Sequence, residues 1–164
     1  MTTHHPVPAL RAPTRHRVPA QPRVSPTAVV AFQAFRTLYR DGYLAYATAR
    51  LGSRHPAERA VEDAMTALAM NWAAALRCPH PAAVAWHLLC ECVDEMAGCG
   101  GVPRSCCPRT RCVSDAVVLR RRLRMETTAA ADLMGLSHSE FLFALRGADD
   151  ARPILCSHHL RTAH

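Results

Sequence analysis

The chain contains no lysine, so all 20 of its basic side chains are arginine. Ile154 is its only isoleucine and Asn71 its only asparagine, while alanine is abundant. This usage follows a GC-rich coding sequence, so arginine content alone is weak ground for nucleic-acid binding. Aromatic residues make up 5% and strand-favouring residues are few, which excludes an all-β fold and points to helices. No apolar run approaches the ~18 residues of a membrane span. The opening MTTHHPVPALRAPTRHRVP lacks the apolar stretch of a secretory signal. A cytoplasmic protein is expected. Its eight cysteines are then expected as free thiols, metal ligands or redox groups rather than structural disulfides. Phosphate-binding loops, paired carboxylates and nucleophile motifs are missing too. His87 and Cys90 share a helix face, but no acid orients them, so no enzyme and no cofactor are expected.

What is present is arginine and alanine in an uneven arrangement. The 164 residues carry a net charge of +7 and 49% hydrophobic residues, enough for one domain or two small ones. Residues 1–30 hold four arginines, no acid and six of the twelve prolines. A segment so poor in apolar surface cannot offset its ordering entropy. Residues 1–25 are therefore expected as a disordered basic arm, followed by a helical domain over 26–97. The stretch CGGVPRSCCPRTRC sits in an expected linker at 98–112. A second helical domain is expected over 113–148, and a tail over 149–164.

In the first domain, Ser25 offers a capping hydroxyl and Pro26 a first-turn proline. Phe32, Phe35, Leu38 and Tyr39 recur at helical spacing. The pattern continues through Tyr43, Leu44, Ala47 and Leu51, with Gly42 as a bend or interruption and Gly52 as the stop. A second helix is expected from near Pro56, with Val61, Met65, Leu68, Trp72 and Leu76 as its apolar stripe, ended by the prolines of CPHP. A third is expected over 82–96, with Val84, Leu88, Leu89, Val93 and Met96 inward. In the second domain, Ser114 is expected to cap a helix with Val117, Val118, Leu119 and Leu123 on one side and Arg120, Arg121, Arg122 and Arg124 on the other. Thr127 or Thr128 is expected to cap AAADLM, which Gly135 ends. Ser137 and Glu140 form a capping box ahead of FLFALR.

The pair over 127–146 has the spacing of a helix-turn-helix. That motif needs a small residue at the helix crossing and a residue tolerating positive φ in the turn; Ala131 and Gly135 meet both needs. Ala130, Met134, Leu136, Phe141 and Ala144 supply its core.

Four segments in this order resemble the extracytoplasmic-function sigma factors, the short branch of the sigma-70 family of bacterial RNA polymerase initiation subunits. AFRTLYRDGYLAYATARLG (Ala34 to Gly52) resembles the opening helices. AERAVEDAM (Ala57 to Met65) resembles the core-binding helix. HPAAVAWHLLCECVDE (His80 to Glu95) resembles the helix that follows. TAAADLMGLSHSEFLFALRGA (Thr128 to Ala148) resembles the promoter-reading helix-turn-helix. The resemblance implies an all-α protein of two small lobes, a region 2-like bundle and a region 4-like helix-turn-helix. It also implies RNA polymerase core, promoter DNA and an anti-sigma or other protein as partners. Glu62 and Asp63 stand where the family carries Gln-Glu facing the polymerase. Ser137, His138, Ser139 and Arg146 are the polar residues at the reading positions, and Arg120, Arg121 and Arg122 the phosphate-binding candidates.

Beyond the Glu62-Asp63 pair, the chain departs from the family on the helices that would meet DNA. Ala67, Ala69 and Ala73 to Ala75 replace the basic and aromatic residues that grip and open DNA. Leu142 and Phe143 replace polar residues on the reading helix, an apolar pair that suits a protein contact. A degenerate sigma-like regulator that binds a protein and no longer opens promoters is therefore the alternative. A third reading is a thiol- or zinc-responsive regulator through Cys99, Cys106, Cys107 and Cys112. Against zinc stand the missing CxxC spacing and the crowding arginines, so no metal is favoured.

Overall fold

The computed structural model describes residues 25–98 and 108–150. The expected basic arm before Ser25, most of the expected linker and the tail beyond Asp150 lie outside the described residues. Those described form helices and no strand. In chain order they are α1 (Pro26–Leu51), α2 (Arg54–Met70), the short α3 (Trp72–Ala75), α4 (Pro81–Met96), α5 (Pro108–Val117) continuing into a π-helical turn at Val118–Arg122, α6 (Thr127–Met134) and α7 (His138–Asp150). None is long and apolar enough to cross a membrane.

α1 passes through Gly42 without interruption. The missing side chain instead admits α6: a methyl group at Gly42 would lie 2.6 Å from Leu133 Cδ1. Pro26 opens the helix as expected, but the Ser25 hydroxyl makes no capping bond; the Ser25 carbonyl accepts from the Ala28 amide at 2.9 Å. Gly52, at φ +72°, ends the helix, its amide bonded to the Thr48 carbonyl at 2.9 Å.

The expected long second helix is broken at Asn71, whose side-chain amide donates to the Ala67 carbonyl at 2.9 Å. The break swings Trp72 onto α1, where its indole N–H donates to the Ala28 carbonyl at 2.9 Å. Phe32 and Phe35 pack against the same indole. Leu76, expected inside, is turned outward and 46% exposed.

α5 begins at Pro108, earlier than expected, so Ser114 lies inside a helix rather than at its cap. Cys112, placed in the linker by sequence, is likewise on α5. The π-helical turn pairs the Leu123 amide with the Val118 carbonyl at 3.0 Å. Arg124 then takes a left-handed conformation at φ 53°, uncommon outside glycine and asparagine. That conformation brings the Met125 amide to the Leu119 carbonyl at 3.0 Å.

α2 packs between α1 and α4, and α6 packs on α4 and α1. One buried cluster therefore runs through both blocks of sequence, from Tyr43, Leu68, Leu89 and Val93 to Leu119, Ala131 and Phe141. Trp86 packs its ring, tilted by 51°, against Tyr46 in the middle of that cluster, with centroids 4.4 Å apart. Fully buried side chains of this size contribute ~1.5–3 kcal/mol each.

Candidate functional site

The helix-turn-helix frame is built from local hydrogen bonds. α6 is capped by Glu126 rather than by Thr127 or Thr128. Its carboxylate accepts from the Thr128 amide at 2.8 Å, the Ala129 amide at 3.3 Å and the Thr128 hydroxyl. The helix ends at Gly135, φ +66°, where the Leu136 amide reaches back to the Ala131 carbonyl at 2.9 Å in a Schellman-type closure. The capping box before α7 is present: the Glu140 carboxylate accepts from the Ser137 amide at 2.8 Å and hydroxyl at 2.6 Å, and the Ser137 hydroxyl accepts from the Glu140 amide at 3.3 Å. These bonds hold both Glu126 and Glu140 below the usual carboxylate range.

On α7, Phe141 and Ala144 are buried and His138, Ser139 and Arg146 are exposed, as is Ser137 just before it. The Arg146 guanidinium also donates back to the Leu142 carbonyl at 3.4 Å. Of the apolar pair, Phe143 is 62% exposed while Leu142 is half-buried. The start of this helix stands beside α4. A methyl group at Gly135 would lie 2.1 Å from the Ala83 nitrogen.

The arginine run divides by role. Arg120 donates to the Met125 carbonyl and secures the π-helical turn. Arg121 and Arg122 are exposed. Arg122 borders an open groove with Asp41, Ala45, Thr48, Arg54 and Leu123.

Glu62 and Asp63 also diverge. Glu62 is gripped by two arginines of α1, Arg36 at 2.6 Å and Arg40 at 3.2 Å. Desolvation would raise its pKa, but these hydrogen bonds and charges outweigh it and hold the carboxyl below its ordinary value. Asp63 is exposed and borders a shallow depression with Cys92, Glu95 and Met96.

Of the four candidate zinc thiols, Cys99, Cys106 and Cys107 lie outside the described residues, and Cys112 is half-buried. Among the described residues no three His, Cys, Asp or Glu side chains are grouped as metal ligands.

The sequence reading missed the strongest polar feature, a clasp joining α1, α4 and α5. Asp115 is 1% exposed. It accepts from the Tyr46 hydroxyl at 2.6 Å and from Arg50 at 2.9 Å, and the Cys90 thiol points to it at 3.6 Å. Asp94 pairs with Arg111 at 2.6 Å and with Arg50 at 3.6 Å, and Arg111 also donates to the Cys90 carbonyl at 2.7 Å. Two guanidinium groups thus balance two carboxylates. Burial pushes the Asp115 carboxyl up, against the opposing pull of Tyr46, Arg50 and Arg111. Burial and the Asp115 charge push the Cys90 thiol up to about 12, so it stays protonated and unreactive. The signal was in the spacing. Tyr46 and Arg50, Cys90 and Asp94, and Arg111 and Asp115 are each four apart, so each helix brings a polar pair on one face.

Compared with known proteins, the chain matches no family model, no curated protein and no solved structure.

Proposed function

We propose that the protein is a divergent extracytoplasmic-function sigma-like factor, a cytoplasmic, non-enzymatic regulator that binds RNA polymerase core and promoter DNA. The observation that carries this reading is the helix-turn-helix frame. A glycine turn at φ +66° joins α6 to α7, the capping box fixes the start of α7, and Ser137, His138, Ser139 and Arg146 lie exposed along it. Helix-turn-helix proteins read base edges with the first residues of that second helix. The three helices before it supply the region 2-like block, in which Asp63 is the exposed acid for a basic polymerase surface. The test is co-purification with RNA polymerase core followed by run-off transcription; core binding with transcripts is the expected result. Neither binding nor transcripts would refute the reading.

A second reading is favoured by two side chains. Phe143 stands exposed on the reading helix, and Glu62 is already neutralised by Arg36 and Arg40. Both suit a degenerate sigma-like regulator with a protein partner. Core binding without transcripts selects that reading.

A further inference from the structure

We propose that one end of the molecule, where α1 begins and α2 ends, is a docking surface for an anionic lipid bilayer. Its exposed aliphatic side chains enter the boundary between headgroups and acyl chains, and the arginines that precede α1 meet the lipid phosphates. This goes beyond the sigma-like reading and does not depend on it.

The end is built by the break at Asn71. Trp72 turns onto α1 and donates to the Ala28 carbonyl at 2.9 Å, and Phe32 and Phe35 pack against its indole with centroids 5.5 and 5.3 Å away. The large rings are thereby used inside, and the side chains around them stay outside. Val29 follows Ala28, and Met70 precedes the break. Leu76 lies one turn beyond Trp72, its amide bonded to the Trp72 carbonyl at 2.9 Å. With Val30, these side chains are between 46% and 76% exposed, and they are four of the six large apolar side chains exposed among the described residues. Ala73 and Ala74, on the short α3 between Met70 and Leu76, are exposed as well. No charged residue lies between Pro26 and Phe35 or between Ala64 and Leu76. Apolar residues scattered singly over a surface need no explanation, whereas a charge-free group around one contact marks an interaction surface.

Charge says what this surface meets. The described residues hold all 13 acids of the chain and as many arginines, so the net charge of +7 is carried outside them. Arg11, Arg15, Arg17 and Arg23 lie in the segment before Ser25, with no acid among them. That segment joins the structure at this end: the Ser25 carbonyl accepts from the Val29 amide at 3.2 Å. An uncharged apolar face is thus covalently joined to an acid-free basic segment. An anionic bilayer satisfies both, by taking up the aliphatic side chains and by pairing the arginines with headgroups. Duplex DNA would pair the arginines and leave the aliphatic side chains in water. A second copy would cover the aliphatic side chains but bring two basic segments to one interface, which like-charge repulsion penalises. The chain lies on the bilayer rather than through it, since no described helix is long and apolar enough to cross one.

The experiment is co-sedimentation of the full chain, across a salt series, with vesicles of equal parts phosphatidylglycerol and phosphatidylcholine and with vesicles of phosphatidylcholine alone. Two variants separate the two signals: Val30→Glu with Met70→Glu removes the apolar face, and Arg11→Gln, Arg15→Gln, Arg17→Gln and Arg23→Gln together remove the charge. Val30 and Met70 are exposed, so the first variant should keep the parent's melting temperature. The parent is expected to bind the anionic vesicles, to release them as salt rises, and to leave phosphatidylcholine unbound. Each variant is expected to bind the anionic vesicles at least tenfold more weakly. A parent that ignores anionic vesicles at low salt overturns the proposal, and so does equal binding to both kinds of vesicle. Parent-like binding by the Val30, Met70 variant overturns it too, because the arginines then act alone. Concentration-dependent dimers that this variant loses, without vesicle binding, overturn it in favour of a second copy.

Discussion

Two places in this molecule hold a carboxylate of one helix against arginine of another, with opposite exposure. At Glu62, Arg36 and Arg40 of α1 reach across to α2, and the carboxylate remains 43% exposed. At Asp115, Arg50 and Tyr46 meet a carboxylate 1% exposed. Water can replace either arginine at Glu62, so that pairing is dispensable. No water reaches Asp115, so its pairing is conditional on every partner being present. The first pins two neighbouring helices that already share an apolar core. The second ties α5 to α1 and α4.

Removing the buried acceptor is expected to have the largest effect. Asp115→Ala should cost ~3–5 kcal/mol, because Arg50 and the Tyr46 hydroxyl lose a buried partner; chemical denaturation with far-UV detection measures it. A loss below ~1 kcal/mol would make the two sites equivalent. Gly135→Ala comes next. The left-handed backbone alone costs ~1–2 kcal/mol, and the new methyl would also meet the Ala83 nitrogen at 2.1 Å. The variant's melting temperature should fall, and an unchanged value would show that α6–α7 does not press on α4. Ser137→Ala removes one side of the capping box and should cost ~1 kcal/mol, without altering the exchange of amides near Asp115.

The smallest effect belongs to Glu62→Gln, ~0–1 kcal/mol after allowing for solvent screening. Its sign with pH is fixed. Because the folded Glu62, Glu126 and Glu140 carboxyls sit below the ordinary glutamate value of 4.5, their contributions are complete above that value. They are lost as pH falls through the lower folded values. Stability should therefore drop on acidification below about pH 4.5, and the drop should be shallower in Glu62→Gln. An identical acid limb would show that the arginines do not hold Glu62.

The local signals in the sequence were strong where one helix suffices to state them. Gly52 and Gly135 as stops, the Ser137–Glu140 box and the apolar spacing of Val61, Met65, Leu68, Leu89 and Val93 each follow from a few neighbouring residues. What was illegible depends on partners distant in sequence. Gly42 looks like a helix breaker until Leu133 is seen lying on it. Asn71 looks helical until Trp72 is drawn to Ala28. Glu126 outcompetes two threonines as a cap through a carboxylate that reaches both first-turn amides. The clasp spans 65 positions between Arg50 and Asp115; each helix alone shows one polar pair and nothing that says the three pairs meet.

The direct test of this contrast is a pair of double-mutant cycles by equilibrium denaturation, Arg50→Met with Asp115→Leu and Arg36→Met with Glu62→Gln. The account predicts a coupling of ~2–3 kcal/mol across the buried pair and under ~0.5 kcal/mol across the exposed one. Equal couplings at the two sites would contradict it.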